Sequence, residues 1–192
     1  MPVSAGRDEL AAAMRLRRWS GSPGGSRSLR RSSTKSSTRS GRCHRVAVSD
    51  ALLIDANVLV YAVAGDERGR RCREILSAVA EGRMEGIAST AILEEVWHLE
   101  LSGRIANLSG QTERAHRLLA PLLPITDETF TRALQVSAGE IGANDRIHVA
   151  TCTEHGIEAI LSADHGFDEV ASLERVDPMD PRFEGFLGAP AV

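Results

Sequence analysis

Residues 51–63, ALLIDANVLVYAV, are apolar nearly end to end, yet they carry Asp55 and Asn57 in their middle. A run of this kind belongs at the centre of a hydrophobic core, in an element covered on both faces. A carboxylate placed there costs several kcal/mol unless it is paired, hydrogen-bonded or bound to a metal ion. The remainder of the chain must therefore supply a partner for Asp55.

From residue 50 onward, short apolar runs alternate with helical patterns. LLIDANVLV reads as a strand, and Cys72, Ile75, Leu76 and Val79 then recur at i, i+3, i+4 and i+7, which predicts a helix ending near Gly82. GIAS (86–89) reads as a second strand, TAILEEVWHLEL as a helix, residues 112–120 as another, and LPIT (123–126) as a short strand. Asp127 is placed to cap the next helix, which is expected to bury Phe130, Ala133 and Leu134. NDRIHVATCTEH predicts a helix closed by Gly156, IEAILS a strand, and LERVD a last strand. Such alternation predicts an α/β fold of three layers, helices on both faces of a mainly parallel sheet, with ligands bound beyond the carboxyl ends of the strands.

The charge is divided unevenly. Residues 1–49 hold 11 of the 23 Lys and Arg but only Asp8 and Glu9, leaving a formal charge of +9, whereas the body from residue 50 sums to −12. The lead-in is rich in Arg, Ser and Gly with little to bury, so it is expected to be disordered in isolation. A solvated tail, or a start assigned too far upstream, is favoured over an RNA-binding arm for it. With 42% hydrophobic residues the chain can bury one sizeable core, placed at residues 50–182, and residues 183–192 form a tail. Cys43, Cys72 and Cys152 lack any C-x-x-C spacing, which argues against a disulfide framework or zinc ribbon and for a reducing, cytoplasmic setting. No run approaches the roughly 18 apolar residues of a membrane span.

Four acids lie where a ligand site is expected. Asp55 and Asp164 end apolar strands, Asp145 opens a helix where a carboxylate is favoured in any case, and Glu94 and Glu95 lie in the helix after the second strand. Glu95 has Ile92 at i−3 and Leu99 at i+4, beside an apolar stripe. Taken singly, each has a structural explanation. Gathered at one sheet edge they would repel unless a cation lay between them, and oxygen ligands point to a hard ion such as Mg²⁺ or Mn²⁺. Metal-assisted phosphodiester hydrolysis is the matching reaction class.

LLIDANVLVYA, STAILEEVWHL, ANDRIHVATCTEHGIEAILSADHGFDEV and the closing RVDP together resemble the PIN-domain ribonucleases, and among them the VapC-like toxins of bacterial toxin–antitoxin modules. The resemblance covers residues 50–182. It implies a sheet of about five strands and an acidic metal-binding quartet of Asp55, Glu95, Asp145 and Asp164, with Asn57 supporting the first Asp and Ser162 as the small hydroxyl residue near the fourth. Glu95 matches better than Glu94 because an apolar residue, Val96, follows it directly, and Glu94 stays open. It also implies an RNA substrate, a homodimer and inhibition by a small antitoxin. The basic lead-in departs from the family layout.

Arg73, Arg104 and Arg146 are candidate phosphate contacts, although a solvated helix charge is the simpler reading of each. His148 lies one turn after Asp145 and could approach the site, although a core or half-buried position is favoured; His98, His155 and His165 show no metal spacing, Leu93 and Trp97 are expected to face the core in preference to a base-stacking role for Trp97, and Asp168 is taken as a loop or cap residue. A phospho-acceptor receiver domain requires a late lysine, whereas the only lysine is Lys35; a haloacid-type phosphatase requires an Asp where Asn57 stands. The remaining rival is a noncatalytic RNA- or protein-binding module on the same fold.

Overall fold

The structure, a computed structural model, describes residues 51–183 except Ala138 and Glu140. The basic lead-in and the tail beyond residue 183 lie outside the described residues. Strands β1 (Leu52–Ile54), β2 (Gly86–Ile87), β3 (Ala159–Leu161) and β4 (Glu174–Val176) form one parallel sheet in the order β2-β1-β3-β4. Leu53 pairs with Ile87 on one side and Ile160 on the other, so β1 is central, and Leu53 and Ile54 are fully buried. The chain leaves β1 toward β2 and returns on its opposite side as β3. That reversal creates a crevice beyond the carboxyl ends of β1 and β3.

Among the described residues six helices accompany the sheet: α1 (Ala56–Tyr61), α2 (Glu67–Ala80), α3 (Thr90–Ser102), α4 (Gln111–Leu119), α5 (Asp127–Ala133) and α6 (Ala143–His155). Helix α3 packs against both α1 and α6, which brings together the elements carrying Asn57, Glu95 and Asp145. Single 3-10 turns at His165–Glu169 and Pro181–Phe183 complete the described chain. Among the described residues, no helix is long and apolar enough to cross a membrane.

The structure corrects several expectations. LLIDANVLV is not one strand: the ladder ends at Ile54, and the Asp55 carboxylate accepts the Ala56 N–H and starts α1. Val58, Leu59 and Val60 are all buried in that helix, and a short helix apolar all round has the same sequence signature as a buried strand. LPIT contributes only an isolated bridge between Leu123 and Ser89, because Pro124 has no N–H to donate and Thr126 already caps α5. Thr126, not Asp127, is that cap, accepting from Thr129 N at 3.1 Å. Helix α5 turns Thr129 and Ala133 inward, with Thr129 Oγ1 donating to Glu154 at 2.5 Å, and leaves Phe130 50% and Leu134 73% exposed. Trp97 is likewise 56% exposed, while Leu93 is buried as expected.

The turn between α1 and α2 depends on Gly69. Its amide donates to Asp66 at 2.9 Å, and a Cβ at this position would lie 2.2 Å from the Ala64 carbonyl oxygen. Gly to Ala inside a helix ordinarily stabilises by about 1 kcal/mol. Here Gly69→Ala is expected to destabilise by roughly 1–3 kcal/mol through overpacking, measured as a lower denaturant midpoint. A raised midpoint would show that the turn yields.

Candidate active site

Asp55 sits at the first position beyond β1, where its backbone N–H still reaches the Leu161 carbonyl across the sheet at 3.1 Å. Its carboxylate is buried and held by three donors. Ala56 N–H reaches Oδ1 at 2.6 Å, Ser162 Oγ–H reaches Oδ2 at 2.6 Å, and the Asn57 amide also donates to Oδ2. Asn57 further donates to Ser162 Oγ at 2.9 Å and accepts the Ala163 N–H at 3.2 Å. The D-x-N pattern thus ties the end of β1 to the end of β3. Each of these donors is neutral.

Ser162 Oγ also accepts the Asp164 N–H at 2.9 Å, and the Asp164 carboxylate accepts from Gly166 N at 2.9 Å, opening the 3-10 turn. Arg175 on β4 fastens this loop from outside. Its guanidinium donates to the Ser162 carbonyl and to Asp177, both at 3.0 Å, and grips Asp168 through Nε at 2.6 Å. That grip holds the Asp168 carboxyl below the usual carboxylate range, so Asp168 is a structural loop residue.

Asp145 opens α6 and accepts the Gly142 N–H at 2.9 Å. Glu95 reaches in from α3, where the Asn144 amide donates to its Oε2 at 3.1 Å; Glu94, one residue earlier, is exposed. His148, three residues after Asp145 on α6, is fully buried with Nε2 4.0 Å from Glu95 Oε2. Its expected place in the core is borne out, but on the side facing the acids.

The acids act on one another. Burial first, then the charges of Asp145 and Asp164, push the Asp55 carboxyl from 3.8 to about 7 against the opposing hydrogen bonds of Ser162 and Ala56. Glu95 is raised by burial and then by Asp55 and Asp145, and His148 and Asn144 offset part of this. Asp145 is raised by burial, with Gly142 and His148 pulling it down and Asp164 adding to the rise. All four acids therefore lie within electrostatic reach at the crevice. The candidate phosphate contacts are less free: Arg73 donates to the Ala62 and Ala64 carbonyls and Arg146 to that of Val136, while Arg104 is exposed.

Hard oxygen donors that raise each other's pKa fit a divalent cation in charge and donor type. Among the described residues, no three His, Cys, Asp or Glu side chains form a finished metal cage, so the fit is one of chemistry rather than completed coordination. Asn144 and Arg175 escaped sequence reasoning. Asn144 was detectable only as the polar neighbour preceding Asp145, and Arg175 as the cation two residues before Asp177 on one strand face.

The family model of the PIN domain matches residues 52–173. The chain is 23% identical over 143 residues to Ribonuclease VapC7 of Mycobacterium tuberculosis, covering 71% of this chain and 98% of the relative. Among solved structures it resembles VapC20 of Mycobacterium tuberculosis, a sarcin–ricin loop cleaving toxin, with a TM-score of 0.51, 16% identity, and coverage of 64% of this chain and 97% of that one. FitAcB from Neisseria gonorrhoeae matches with a TM-score of 0.50 and 20% identity, over 66% of this chain and 97% of that one. The structural likenesses are likenesses of fold.

The raised Asp55 sets a pH dependence. Its folded pKa lies above its unfolded one, so the folded chain keeps a proton that the unfolded chain has released; the associated stability is fully present below about pH 4 and is lost as pH rises through about 7. Between about pH 4 and pH 8 the wild type should lose up to the order of 4 kcal/mol relative to Asp55→Asn, read from denaturant unfolding of both proteins. Parallel curves would refute the buried, repelled carboxylate.

Proposed function

The chain belongs to the PIN domain family, and from that premise we propose that it is a metal-dependent endoribonuclease acting as the VapC-like toxin of a toxin–antitoxin module. The observation that carries the reading is the crevice itself: Asp55, Glu95, Asp145 and Asp164, drawn from two strand ends and two helices, raise or feel one another's charge across the sheet's switch point. Structural acids on a solvated surface have no reason to converge there.

Asp55, Glu95, Asp145 and Asp164 would hold Mg²⁺ or Mn²⁺. Such an ion lowers the pKa of a bound water and neutralises charge developing on a phosphoryl group. The chain's own part is to keep the carboxylates aimed before substrate arrives. Ser162, Asn57 and the Ala56 amide fix Asp55; Asn144 orients Glu95; the Gly142 amide fixes Asp145; and the Gly166 amide, on the turn held by Arg175, fixes Asp164. Glu95 takes the position in preference to Glu94 because only Glu95 is turned inward to Asn144.

The substrate is RNA, presented to the crevice in a single-stranded or loop form whose backbone can enter it. VapC20, a sarcin–ricin loop cleaving toxin, supports that reading by similarity of fold. The cellular setting is cytoplasmic, the partner a small antitoxin, and the working form a homodimer. The noncatalytic alternative draws on the unfinished cage among the described residues. The two separate on one experiment.

Purified protein is expected to cleave total RNA only with Mg²⁺ or Mn²⁺, and Asp145→Asn to lower the rate by about a hundredfold or more, with cut ends mapped by sequencing. Cleavage in the presence of a chelator, or an equally active Asp145→Asn protein, would leave the noncatalytic reading standing.

A further inference from the structure

His148 is 1% exposed, and among the described residues neither of its ring nitrogens has a hydrogen-bond partner. Buried polar groups are almost always satisfied, and an orphan beside a polar site calls for an explanation, an ordered water or an ion among them. The ring is not isolated among apolar side chains. Its Nε2 faces Glu95 Oε2 at 4.0 Å, and Asp145, one turn earlier on the same helix, acts on it electrostatically. A separation of 4.0 Å is too long for a hydrogen bond. It does match an ion bonded to both atoms, since two bonds of about 2.1 Å span up to about 4.2 Å.

The alternative is a direct hydrogen bond to Glu95. Such a bond requires Nε2 to close from 4.0 Å to about 3 Å, and Oε2, which already accepts from Asn144 at 3.1 Å, keeps a second lone pair to receive it.

We propose that His148 is a nitrogen ligand of the acidic site, and that it gives the site a preference for a first-row transition ion such as Mn²⁺ over Mg²⁺. Imidazole suits transition ions and adds little for Mg²⁺, whereas carboxylates alone discriminate weakly between the two. The inference rests on the metal-dependent reading of the same crevice and adds to it the identity of one ligand and the direction of ion choice.

The test measures binding, not cleavage. Full-length protein is titrated with Mn²⁺ and with Mg²⁺ by calorimetry, and pulsed electron paramagnetic resonance of the Mn²⁺ complex is recorded for protein carrying ¹⁴N or ¹⁵N histidine. The expected results are a histidine nitrogen coupling in the wild type, its loss in His148→Gln, and a fall of about tenfold or more in Mn²⁺ affinity with Mg²⁺ affinity unchanged. Mn²⁺ bound without nitrogen coupling, or an Mn²⁺-to-Mg²⁺ affinity ratio that survives in folded His148→Gln, overturns the inference and leaves the acidic site intact. Failure of both ions to bind the wild type removes the metal-dependent reading itself. Should His148→Gln fail to fold, the isotope comparison on the wild type decides.

Discussion

The structure turns on one hydrogen-bonded knot, Asp55 with Asn57 and Ser162. It closes the end of β1, begins α1 and joins the two central strands beyond their last paired residues. A buried carboxylate is tolerable only because these donors, together with the Ala56 amide, satisfy it. The same donors aim it into the crevice. Stabilisation of the local fold and orientation of the site are therefore one interaction, and Arg175 extends it outward by clamping the Ser162 carbonyl and the turn after Asp164.

Around this knot the chain gathers charges that oppose folding. Burial and mutual repulsion raise Asp55, Glu95 and Asp145 together, so the folded domain holds its acids in their less favourable environment. Groups so perturbed are frequent at functional sites, where a shifted pKa is matched to a task. The apolar packing of Leu53, Ile54, Ile92, Ile160 and Leu161 supplies the compensating stability. The proposed cation would offset that repulsion, and the proposed ligation would give the buried ring of His148 a partner.

Much of this was legible in the residues. The parallel α/β order followed from alternating apolar runs, and Asp55 and Asp164 could be placed at strand ends because each follows a buried apolar run. What periodicity could not resolve was the change from strand to helix inside LLIDANVLV, since a helix buried all round looks like a buried strand until the Asp55 cap is seen. Helix patterns also promised burial for Trp97, Phe130 and Leu134, but position on an apolar stripe says nothing about whether another element covers that stripe. His148 and Arg175 were obscure for a different reason. Their importance lies in partners far along the chain, Glu95 for one and Ser162 and Asp168 for the other, and spacing records only neighbours.

The knot also has a direction in time. Asn57 and Ser162 are 105 positions apart, and Asp55 and Ser162 are 107. Closing so long a loop is slow and must wait until the later partner exists. During synthesis the amino-terminal half of the domain emerges from the ribosome first, and Asp55 lacks its cross-strand hydroxyl until β3 and the residue after it have been made. A chain not yet read past Ser162 therefore carries the first acid held only by its neighbours Ala56 and Asn57, and the crevice is completed when the later strand arrives.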